Sequence, residues 1–515
     1  MYDYVLTGGQ VVDVDQGLLR AADVAVRGER IEAVGRIDPA QANEVLDCTG
    51  LVVAPGFIDV HVHGDAMLLA DPEHEPAVRQ GITTYIIGQD GSSYAPGGAS
   101  VVSYFRRYTA GFNGDPDIGW DWNGVADYLS RFERRVAINV AYLVPNGNLR
   151  LEVVGAEDRP ATPEELDAMV RLLEQALDEG AVGMSTGLEY VPSGFARTEE
   201  LIELARRVAA RGLPYVSHIR SYAADQVHEA LAEVERIHRE SGAAVHVSHF
   251  NVKAPLLEWV DQALRAGVDL TYDTYPYTAG STILAMMALP KWVQKGGTEA
   301  TLQRLADPAV REALVEWFEH PPVYRYENVK LTFIAAAEYR HFEGMMLPDA
   351  ARAAGQRLLD FVCDLLVASK LVVGIVYFQT HRDEADLVAL MRHPAQMAGS
   401  DGIFVGAYPH PRGWGAFARF VGRYVREGYW SLVEAVRHCS TAAAARYGLR
   451  DRGRVAPGYA ADLACFAPEE FEDRATFEQG RQEAVGMRHV LVNGIPVLRD
   501  GQRTAQRPGR ALRPG

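Results

Sequence analysis

Strand-like runs alternate with helical patterns through the middle of the chain, and this alternation constrains the fold more than any other feature. The runs are "GFIDVHVH", "GITTYIIG", "VAINVAYLVP", "GAVGMSTG", "PYVSHIR", "AVHVSHF", "DLTYDTYP" and "QMAGSDG". The helices between them carry start and stop signals, such as the capping box of Thr162 with Glu165 and the stop at Gly180. Eight β/α units in series predict an α/β fold with a closed parallel (β/α)8, TIM-like barrel, whose active site lies at the carboxyl ends of the strands.

The two ends of the chain share a different, β-rich texture. Residues 1–55 contain "YVLTGGQVVD" and "AADVAVRGERIEAVG", and residues 450–502 contain "GRVAPGYAADLACFAP" and "VGMRHVLVNGIPVLRDGQ". We therefore predict one small β-sandwich domain that is formed from both ends and flanks a barrel at residues 56–449. The Arg-, Pro- and Gly-rich residues 503–515 are predicted to form a disordered tail.

Spacing along the barrel region indicates an insertion. Met184, His218 and His249 are 34 and 31 residues apart, about one β/α unit each, whereas Tyr275 and Asp401 are 126 residues apart. The extra length predicts a small domain or lid at residues 285–345, between strands seven and eight.

Composition narrows the class of protein. The chain has 515 residues with 48% hydrophobic and 23% charged residues, which is typical of a globular protein. A net charge of −17 argues against nucleic acid or an anionic membrane as partner.

The start of the chain does not resemble a secretory signal, and the four cysteines lack CxxC pairing, so we predict reduced thiols and a cytoplasmic location. Composition leaves open whether the protein is a homo-oligomer.

Histidines and one aspartate fall where the predicted strands end. His61 and His63 stand two residues apart at the end of the first strand, so period-two alternation points both imidazoles to one face. The fifth strand ends at His218, the sixth at His249 and the eighth at Asp401. Imidazole and carboxylate groups at one barrel face are typical of a metal site, which we therefore predict there. Three other histidines are interpreted as structural: His228, His238 and His246.

Longer motifs are spread over nearly the whole chain. They include "PGFIDVHVHGD", "GAVGMSTGLEYVPSG", "YDTYPYTAGST", "GSDG" followed by "HPRGWGAF", and "GLRDRGRVAPGYAADLACF". Together these motifs resemble the amidohydrolase superfamily, and within it the D-aminoacylase branch, the N-acyl-D-amino-acid deacylases. The resemblance implies a distorted (β/α)8 barrel with a β domain made from both ends. It also implies metal-dependent hydrolysis of a C–N amide bond, which releases a D-amino acid and a carboxylate from an N-acyl-D-amino acid.

The resemblance also implies a set of metal ligands. In the D-aminoacylase branch, a tightly held zinc ion is bound by the histidines that end strands five and six and by a cysteine that ends strand two. The two histidines match His218 and His249. The cysteine belongs to the family pattern "GNCG", whereas this chain has "GQDG" and places Asp90 there. A carboxylate is a harder and weaker zinc ligand than a thiolate, but its two oxygens can bridge two metals.

The aspartate at position 90 leaves three interpretations open. In the first, Asp90 bridges two zinc ions, the second of which is held by His61, His63 and Asp401. In the second, the carboxylate favours a harder metal such as Mn²⁺ or Co²⁺. In the third, Asp90 caps the following loop, and one metal is lost or loosely bound. The expected cofactor is Zn²⁺, as one or two ions, with Mn²⁺ or Co²⁺ as the alternative.

The resemblance assigns catalysis to Asp401. It implies that this carboxylate takes a proton as metal-activated hydroxide attacks the amide carbonyl, and then passes the proton to the departing amine. The metal would polarise the carbonyl group and stabilise its oxyanion.

Residues that would bind the substrate follow from the same resemblance. The family positions that clasp the α-carboxylate match Tyr275, Ser281 and Arg412, and an arginine fork suits a carboxylate. A lysine that the family has two residues after the strand-six histidine is replaced by Asn251. Two further residues are expected to line the pocket after strand four: Glu189 and Tyr190.

Two other functions stay open. Hydrolysis of a cyclic amide or an unusual dipeptide, as in hydantoinase, dihydroorotase or isoaspartyl-dipeptidase relatives, uses the same chemistry. Those relatives typically carry a carboxylated lysine on strand four, and "GAVGMSTG" contains no lysine. A catalytically inactive barrel that serves as a scaffold would lose metal ligands, whereas this chain keeps its four strand-end histidines and Asp401. The partner expected for an enzyme is a small-molecule N-acyl amino acid or a related amide.

Overall fold

The computed structural model describes residues 1–321 and 325–515, which contain 22 strands and 22 α-helices. The strands are β1 (Tyr2–Asp13), β2 (Leu18–Arg27), β3 (Arg30–Gly35), β4 (Ala42–Asp47), β5 (Val52–Pro55), β6 (Phe57–Asp59), β7 (Val62–His63), β8 (Ile82–Ile87), β9 (Asn139–Pro145), β10 (Gly183–Gly187), β11 (Pro214–His218), β12 (Ala244–Val247), β13 (Leu270–Thr274), β14 (Ala279–Ile283), β15 (Val329–Ile334), β16 (Val373–Phe378), β17 (Gln396–Ala398), β18 (Gly402–Ile403), β19 (Leu463–Phe466), β20 (Met487–Val492), β21 (Ile495–Arg499) and β22 (Gln502–Arg503).

The helices lie between these strands. They are α1 (Met67–Ala70), α2 (Glu75–Val78), α3 (Ala99–Tyr108), α4 (Ala110–Asn113), α5 (Val125–Ser130), α6 (Asn146–Val153), α7 (Pro163–Asp178), α8 (Thr198–Ala209), α9 (Val227–Ser241), α10 (Leu257–Arg265), α11 (Leu284–Ala288), α12 (Lys291–Gln294), α13 (Gly297–Ala306), α14 (Pro308–Ala313), α15 (Val315–Glu319), α16 (Leu347–Ala353), α17 (Leu358–Ala368), α18 (Glu384–Arg392), α19 (Arg412–Ala418), α20 (Tyr424–Arg426), α21 (Leu432–Val436) and α22 (Ala442–Arg446).

Eight parallel strands form the barrel predicted from the alternation. They are neighbours in the order β6, β8, β9, β10, β11, β12, β13 and β17. The first and last strands close the barrel, because β7 pairs with β18 and the Val60 amide donates to the Ala398 carbonyl at 3.3 Å. Strands such as β8, "ITTYII", are buried along their whole length, as expected for a parallel sheet covered on both faces. The predicted barrel is therefore confirmed, and each predicted run contributes one strand to the eight-stranded sheet.

Strands from both ends of the chain form a separate nine-stranded sheet. Its order is β22, β21, β20, β19, β5, β1, β2 and β3, with β4 paired to β1. The sheet curls back on itself, because the Ile31 amide of β3 donates to the Tyr459 carbonyl and the Ala461 amide to the Glu29 carbonyl, both at 2.9 Å. The curled sheet encloses a small apolar core that includes Leu6, Val11, Val24, Val53, Leu463 and Cys465. A β domain built from both ends is confirmed, while the boundaries 1–55 and 450–502 stay predictions.

The insertion lies between β13 and β17 and has its own sheet and core. Strands β14, β16 and β15 form a three-stranded antiparallel sheet in that order, and the helices from α11 to α17 supply much of a second apolar core. The elements of this unit run from residue 279 to residue 378, beyond the predicted range of 285–345. The insertion is longer than predicted because its sheet needs a central strand. That strand, β16, pairs with both β14 and β15 and lies after residue 345.

The carboxyl-terminal tail does not match the expectation of disorder. The Val140 amide of β9 donates to the Arg510 carbonyl at 2.8 Å, and the Leu512 amide donates back to Val140 at 2.7 Å. A side chain at Gly509 would collide with the carbonyl of Ile138, which explains the glycine at this close approach. The tail packs here because β10 pairs with β9 only from Leu143 onwards, so the first part of β9 has a free edge.

The most apolar stretch of the sequence, "FVCDLLVASKLVVGIVYF", folds as the end of α17 followed by β16. Among the described residues, no helix has the length and apolar character needed to cross a bilayer. The cytoplasmic location stays a prediction.

The packed tail yields a stability prediction. Leu512 is 7% exposed and belongs to the core cluster around Met397 and Tyr447. We expect Leu512→Ala to lower the free energy of unfolding by about 2–3 kcal/mol, because it removes a buried side chain and leaves a cavity. Urea unfolding followed by circular dichroism measures the change. The control is Arg513→Ala at the exposed neighbouring position, and equal midpoints for the two variants would show that the tail is not packed in solution.

Candidate metal centre

Six side chains meet at the carboxyl-terminal rim of the barrel. Each follows or ends a strand, because parallel strands bring all their carboxyl ends to one rim. Five are buried, and His249 is partly buried. The cluster contains every residue predicted as a ligand: His61, His63, Asp90, His218, His249 and Asp401.

Asp90 lies at the centre of this cluster. Its Oδ2 atom is 3.6 Å from His63 Nε2 and 3.7 Å from both His218 Nδ1 and His249 Nε2. Its Oδ1 atom is 3.5 Å from His61 Nε2. Ligands that bind one cation at about 2.0–2.1 Å in a tetrahedron stand roughly 3.3–3.4 Å apart, so these spacings are close to those of a metal site.

Two atoms of the cluster test whether a metal fits. His61 Nε2 and Asp90 Oδ1 are buried, and neither has a hydrogen-bond partner among the residues described. Buried polar atoms without partners are destabilising and uncommon in native proteins. A divalent cation between these atoms would satisfy both, so the residues present fit a metal.

The carboxylate of Asp273 contacts three histidines on the side of the cluster away from Asp90 Oδ1: the rings of His61 and His246 and the backbone amide of His249. Its Oδ2 atom is 3.3 Å from His61 Nδ1 and 2.9 Å from His246 Nε2, and its Oδ1 accepts a 2.8 Å bond from the His249 amide. A carboxylate on the far nitrogen fixes the tautomer and the ring orientation of a metal-binding histidine. The sequence analysis missed Asp273, although its position in "TYDTYP", at the end of strand seven, was a signal.

His218 is oriented in the same manner by a residue of the cavity wall. Its Nε2 atom lies 2.8 Å from Glu189 Oε2, so its Nδ1 atom faces Asp90 and His249. Glu189, expected only to line the pocket, therefore also contacts a candidate ligand. His246, interpreted as structural, lies behind the cluster against Asp273.

The backbone is strained at three of these positions. Asp90, His249 and Asp401 have φ angles of 53°, 30° and 49°, in the left-handed region that residues other than glycine seldom adopt. Such strain costs of order 1–3 kcal/mol per residue and persists where the surrounding structure holds it. At Asp401, a 2.7 Å bond from its amide to the His61 carbonyl holds the turn.

Positive charges near Asp401 and Asp90 oppose the effect of burial on the pKa values of these two carboxyl groups. Burial alone would raise the pKa of Asp401, but the charge of Arg412 and the contact with His63 lower this pKa to about 2. Burial likewise opposes the ionised form of Asp90, yet the neighbouring histidines, His61 first, hold its pKa well below the ordinary value. Both carboxylates are therefore ionised at neutral pH, which is the form that binds a cation or accepts a proton.

Arg412 is buried beside Asp401. Its Nη1 atom lies 2.8 Å from Asp401 Oδ2, its Nη2 atom donates to the Ser281 carbonyl at 3.2 Å, and its guanidinium lies over the Tyr275 ring, 4.5 Å from the centroid. The Ser281 hydroxyl donates to the Ile375 carbonyl at 2.7 Å. The arginine expected to clasp a substrate carboxylate is thus already paired within the protein.

A cavity of about 770 Å³ opens onto the centre. Of the six residues expected to bind the substrate or line the pocket, Arg412 does not line the cavity. The other five do: Glu189, Tyr190, Asn251, Tyr275 and Ser281. His228, interpreted as structural, also reaches the lining. The volume is in the range of small-molecule sites.

Comparison with known proteins agrees with this geometry. A family model described as the amidohydrolase family matches residues 44–498. The chain belongs to the amidohydrolase family. This amidohydrolase is 36% identical over 523 aligned residues to an N-acyl-D-glutamate deacylase of Alcaligenes xylosoxydans xylosoxydans, covering 99% of this chain and 96% of that protein. The resemblance inferred from the motifs is confirmed.

Solved structures match the whole of this amidohydrolase. One is an N-acyl-D-glutamate deacylase from Bordetella bronchiseptica in complex with zinc and a phosphonate inhibitor that mimics the tetrahedral intermediate, with a TM-score of 0.84, 34% identity and 99% coverage of both chains. Another is a D-aminoacylase studied for its binuclear metal centre, with a TM-score of 0.82, 34% identity and full coverage of both chains.

The position of Asp273 behind the centre yields a prediction. We expect Asp273→Asn to weaken zinc binding by about 10- to 100-fold, because the amide no longer holds His61 in its ligand orientation. Competition with a chromogenic chelator measures the affinity. The control is Asp269→Asn, which changes a largely exposed carboxylate paired with Arg446. Equal zinc affinities in the two variants would contradict an orienting role for Asp273.

Proposed function

We propose that this amidohydrolase removes the acyl group from N-acyl-D-amino acids by metal-dependent hydrolysis of the amide bond. The observation that carries the proposal is the position of the Asp401 carboxylate, which lies 3.2 Å from His63 in the histidine cluster and also lines the cavity. Relatives across the full length are deacylases of this type, and one of them binds zinc and a tetrahedral mimic. Preference for the D-enantiomer rests on these relatives.

In the proposed centre, the four histidines, Asp90 and Asp401 would hold two divalent cations, with zinc as the first choice and Asp90 as the ligand shared by both. This choice among the three interpretations is supported by the two oxygens of Asp90, which face different histidines. Oδ1 faces His61, whereas Oδ2 faces the pair formed by His218 and His249 and also His63. Bound divalent cations would supply Lewis acidity to the substrate carbonyl and make water nucleophilic at neutral pH.

Asp401 performs the proton transfers in this proposal. It is ionised at neutral pH and lines the cavity, so it can accept the proton that the attacking water loses. It then donates this proton to the nitrogen of the departing amine. Arg412, 2.8 Å away, fixes the direction of the carboxylate.

A substrate panel tests the proposed reaction. We expect purified protein to contain up to two zinc ions per chain by elemental analysis and to release amine from N-acetyl-D-amino acids faster than from the L-enantiomers. Prolonged incubation with a chelator should remove both metal and activity, since the ligands bind the cation and the cation activates water. Release from cyclic amides or dipeptides but from no N-acetyl-D-amino acid would replace the proposed substrate, and a protein without bound metal would contradict the proposed function.

Substitution at Asp401 tests its role. We expect Asp401→Asn to lower kcat by about 10²–10⁴-fold, because an amide cannot accept the proton. At least one zinc ion should remain bound, since Asp90, His218 and His249 are unchanged. The control is Asp473→Asn, which breaks a similar 2.8 Å pair with Arg419, at residues that do not line the cavity. Wild-type turnover by Asp401→Asn would remove Asp401 from the mechanism.

A further inference from the structure

The loop after β10 forms the wall of the cavity beside the candidate ligand His218. The Leu188 amide donates to the His218 carbonyl at 2.9 Å, and Glu189 Oε2 lies 2.8 Å from His218 Nε2. The Tyr190 ring packs edge-on against the His218 imidazole, with 5.1 Å between the ring centroids. Three consecutive residues of this loop therefore contact His218, and Glu189 is the one that bonds to the ring nitrogen facing away from Asp90.

The residues on both sides of Glu189 are bonded to the insertion. Lys291 Nζ donates to the Leu188 carbonyl at 2.8 Å. The Tyr190 hydroxyl lies 2.8 Å from Thr282 Oγ1. Lys291 is the first residue of α12 and Thr282 lies in β14, and both elements belong to the insertion. The insertion thus holds the loop on either side of the residue that orients the candidate ligand.

The bond from Lys291 acts on the peptide group that leads into Glu189. The Tyr190 amide donates to the Gly187 carbonyl at 2.9 Å, which closes a turn. Leu188 and Glu189 are the two central residues of this turn. Rotation of the central peptide of a turn changes the backbone angles of the residue that follows it. A donor on the Leu188 carbonyl opposes this rotation, because the planar peptide group moves as one unit. The direction of the Glu189 side chain is therefore coupled to the lysine.

The position of Lys291 is in turn fixed by the core of the insertion. The apolar residues Leu289 and Val293, on either side of it, are buried in that core. The ammonium lies against the far end of the loop, since a β-carbon at Gly194 would be 3.3 Å from Nζ. The lysine therefore joins two units that each hold it in place.

The partly buried ammonium of Lys291 calls for an explanation. Burial lowers its pKa, the charge of Arg220 acts in the same direction, and the charge of Glu189 opposes both. Two nearby carboxylates are already paired, Glu189 with His218 and Glu233 with Arg220. Desolvation of an ammonium is unfavourable unless the bonds that it makes offset the loss of water. The bond to the loop is therefore the contact that an apolar side chain at this position would lose.

We propose that Lys291, together with Thr282, is a positioning residue through which the insertion holds Glu189 against His218. This inference rests on the proposed function, because it concerns the affinity of the same metal centre. A carboxylate on the far nitrogen of a histidine ligand fixes the orientation of its ring, and loss of such a contact weakens metal binding. Since the bond from Lys291 is to the loop, its effect on the centre passes through Glu189.

Zinc affinity in a double-mutant cycle tests this role. We expect Lys291→Met to weaken zinc binding by about three- to tenfold in competition with a chromogenic chelator, less than the loss of about 10- to 100-fold expected for Glu189→Ala, which removes the direct contact. In the Glu189→Ala background, Lys291→Met should change the affinity by less than about twofold, because the group that transmits its effect is gone. The control is Lys295→Met, which removes the same charge at an exposed position directly after α12.

Folding is measured separately. Thermal unfolding of the metal-free proteins, followed by circular dichroism, should give nearly the same midpoint for Lys291→Met and Lys295→Met. If Lys291→Met does not fold, Thr282→Val takes its place, because it removes the other contact with the insertion and keeps the lysine. Thr282→Val should weaken zinc binding when Glu189 is present and leave it unchanged in the Glu189→Ala background.

These measurements do not need turnover, so failure of the proposed reaction is told apart from failure of this inference. Equal zinc affinities of Lys291→Met and Lys295→Met would overturn the inference, and so would an equal loss with and without Glu189. If the wild type binds zinc but releases amine from no substrate, the proposed reaction is wrong, and the zinc affinities still decide the role of Lys291. A wild type that binds no zinc overturns both.

Discussion

Closure of the barrel between its first and last strands is the constraint on which the centre depends. The Ser400 amide donates to Asp59 at 2.8 Å, and the Asp401 amide donates to the His61 carbonyl at 2.7 Å. The first of these bonds joins residues that lie 341 positions apart in the chain. Without them, the histidines after the first strand would not face the aspartate after the eighth. The geometry of the candidate ligands is thus a product of the hydrogen bonds that complete the barrel, and each ligand's position depends on all eight strands.

The cavity wall carries charges of both signs. The carboxylates of Asp90 and Asp401 lie with imidazoles at the candidate metal centre, and Lys253 and Arg325 also line the wall. An N-acyl amino acid has a matching asymmetry, since its amide oxygen seeks a Lewis acid and its carboxylate seeks donors. In the proposed function, charges of both signs on the wall would help to orient such a substrate.

Much of this architecture could be predicted from the sequence, because local patterns carry it. Alternating strand and helix patterns predicted the barrel, and residues such as His218 and His249 were found because they end strands. Asp273 also ends a strand but was not found, because its partners, the rings of His61 and His246, lie on other strands. The ordered tail was missed for a related reason. Its contacts at Val140 are made by the backbone, which has no sequence signature.

The nine-stranded sheet built from both ends affects how the protein is made in a cell. Strand β5 is complete at residue 55, but its partner β19 begins at residue 463. At translation rates of about 5–20 residues per second, the edge of β5 waits on the order of tens of seconds for its partner. During that time a row of backbone donors and acceptors stands exposed on a nascent chain. The β domain can therefore close only after β19 has been synthesised, and until then this edge of β5 is open to other pairing.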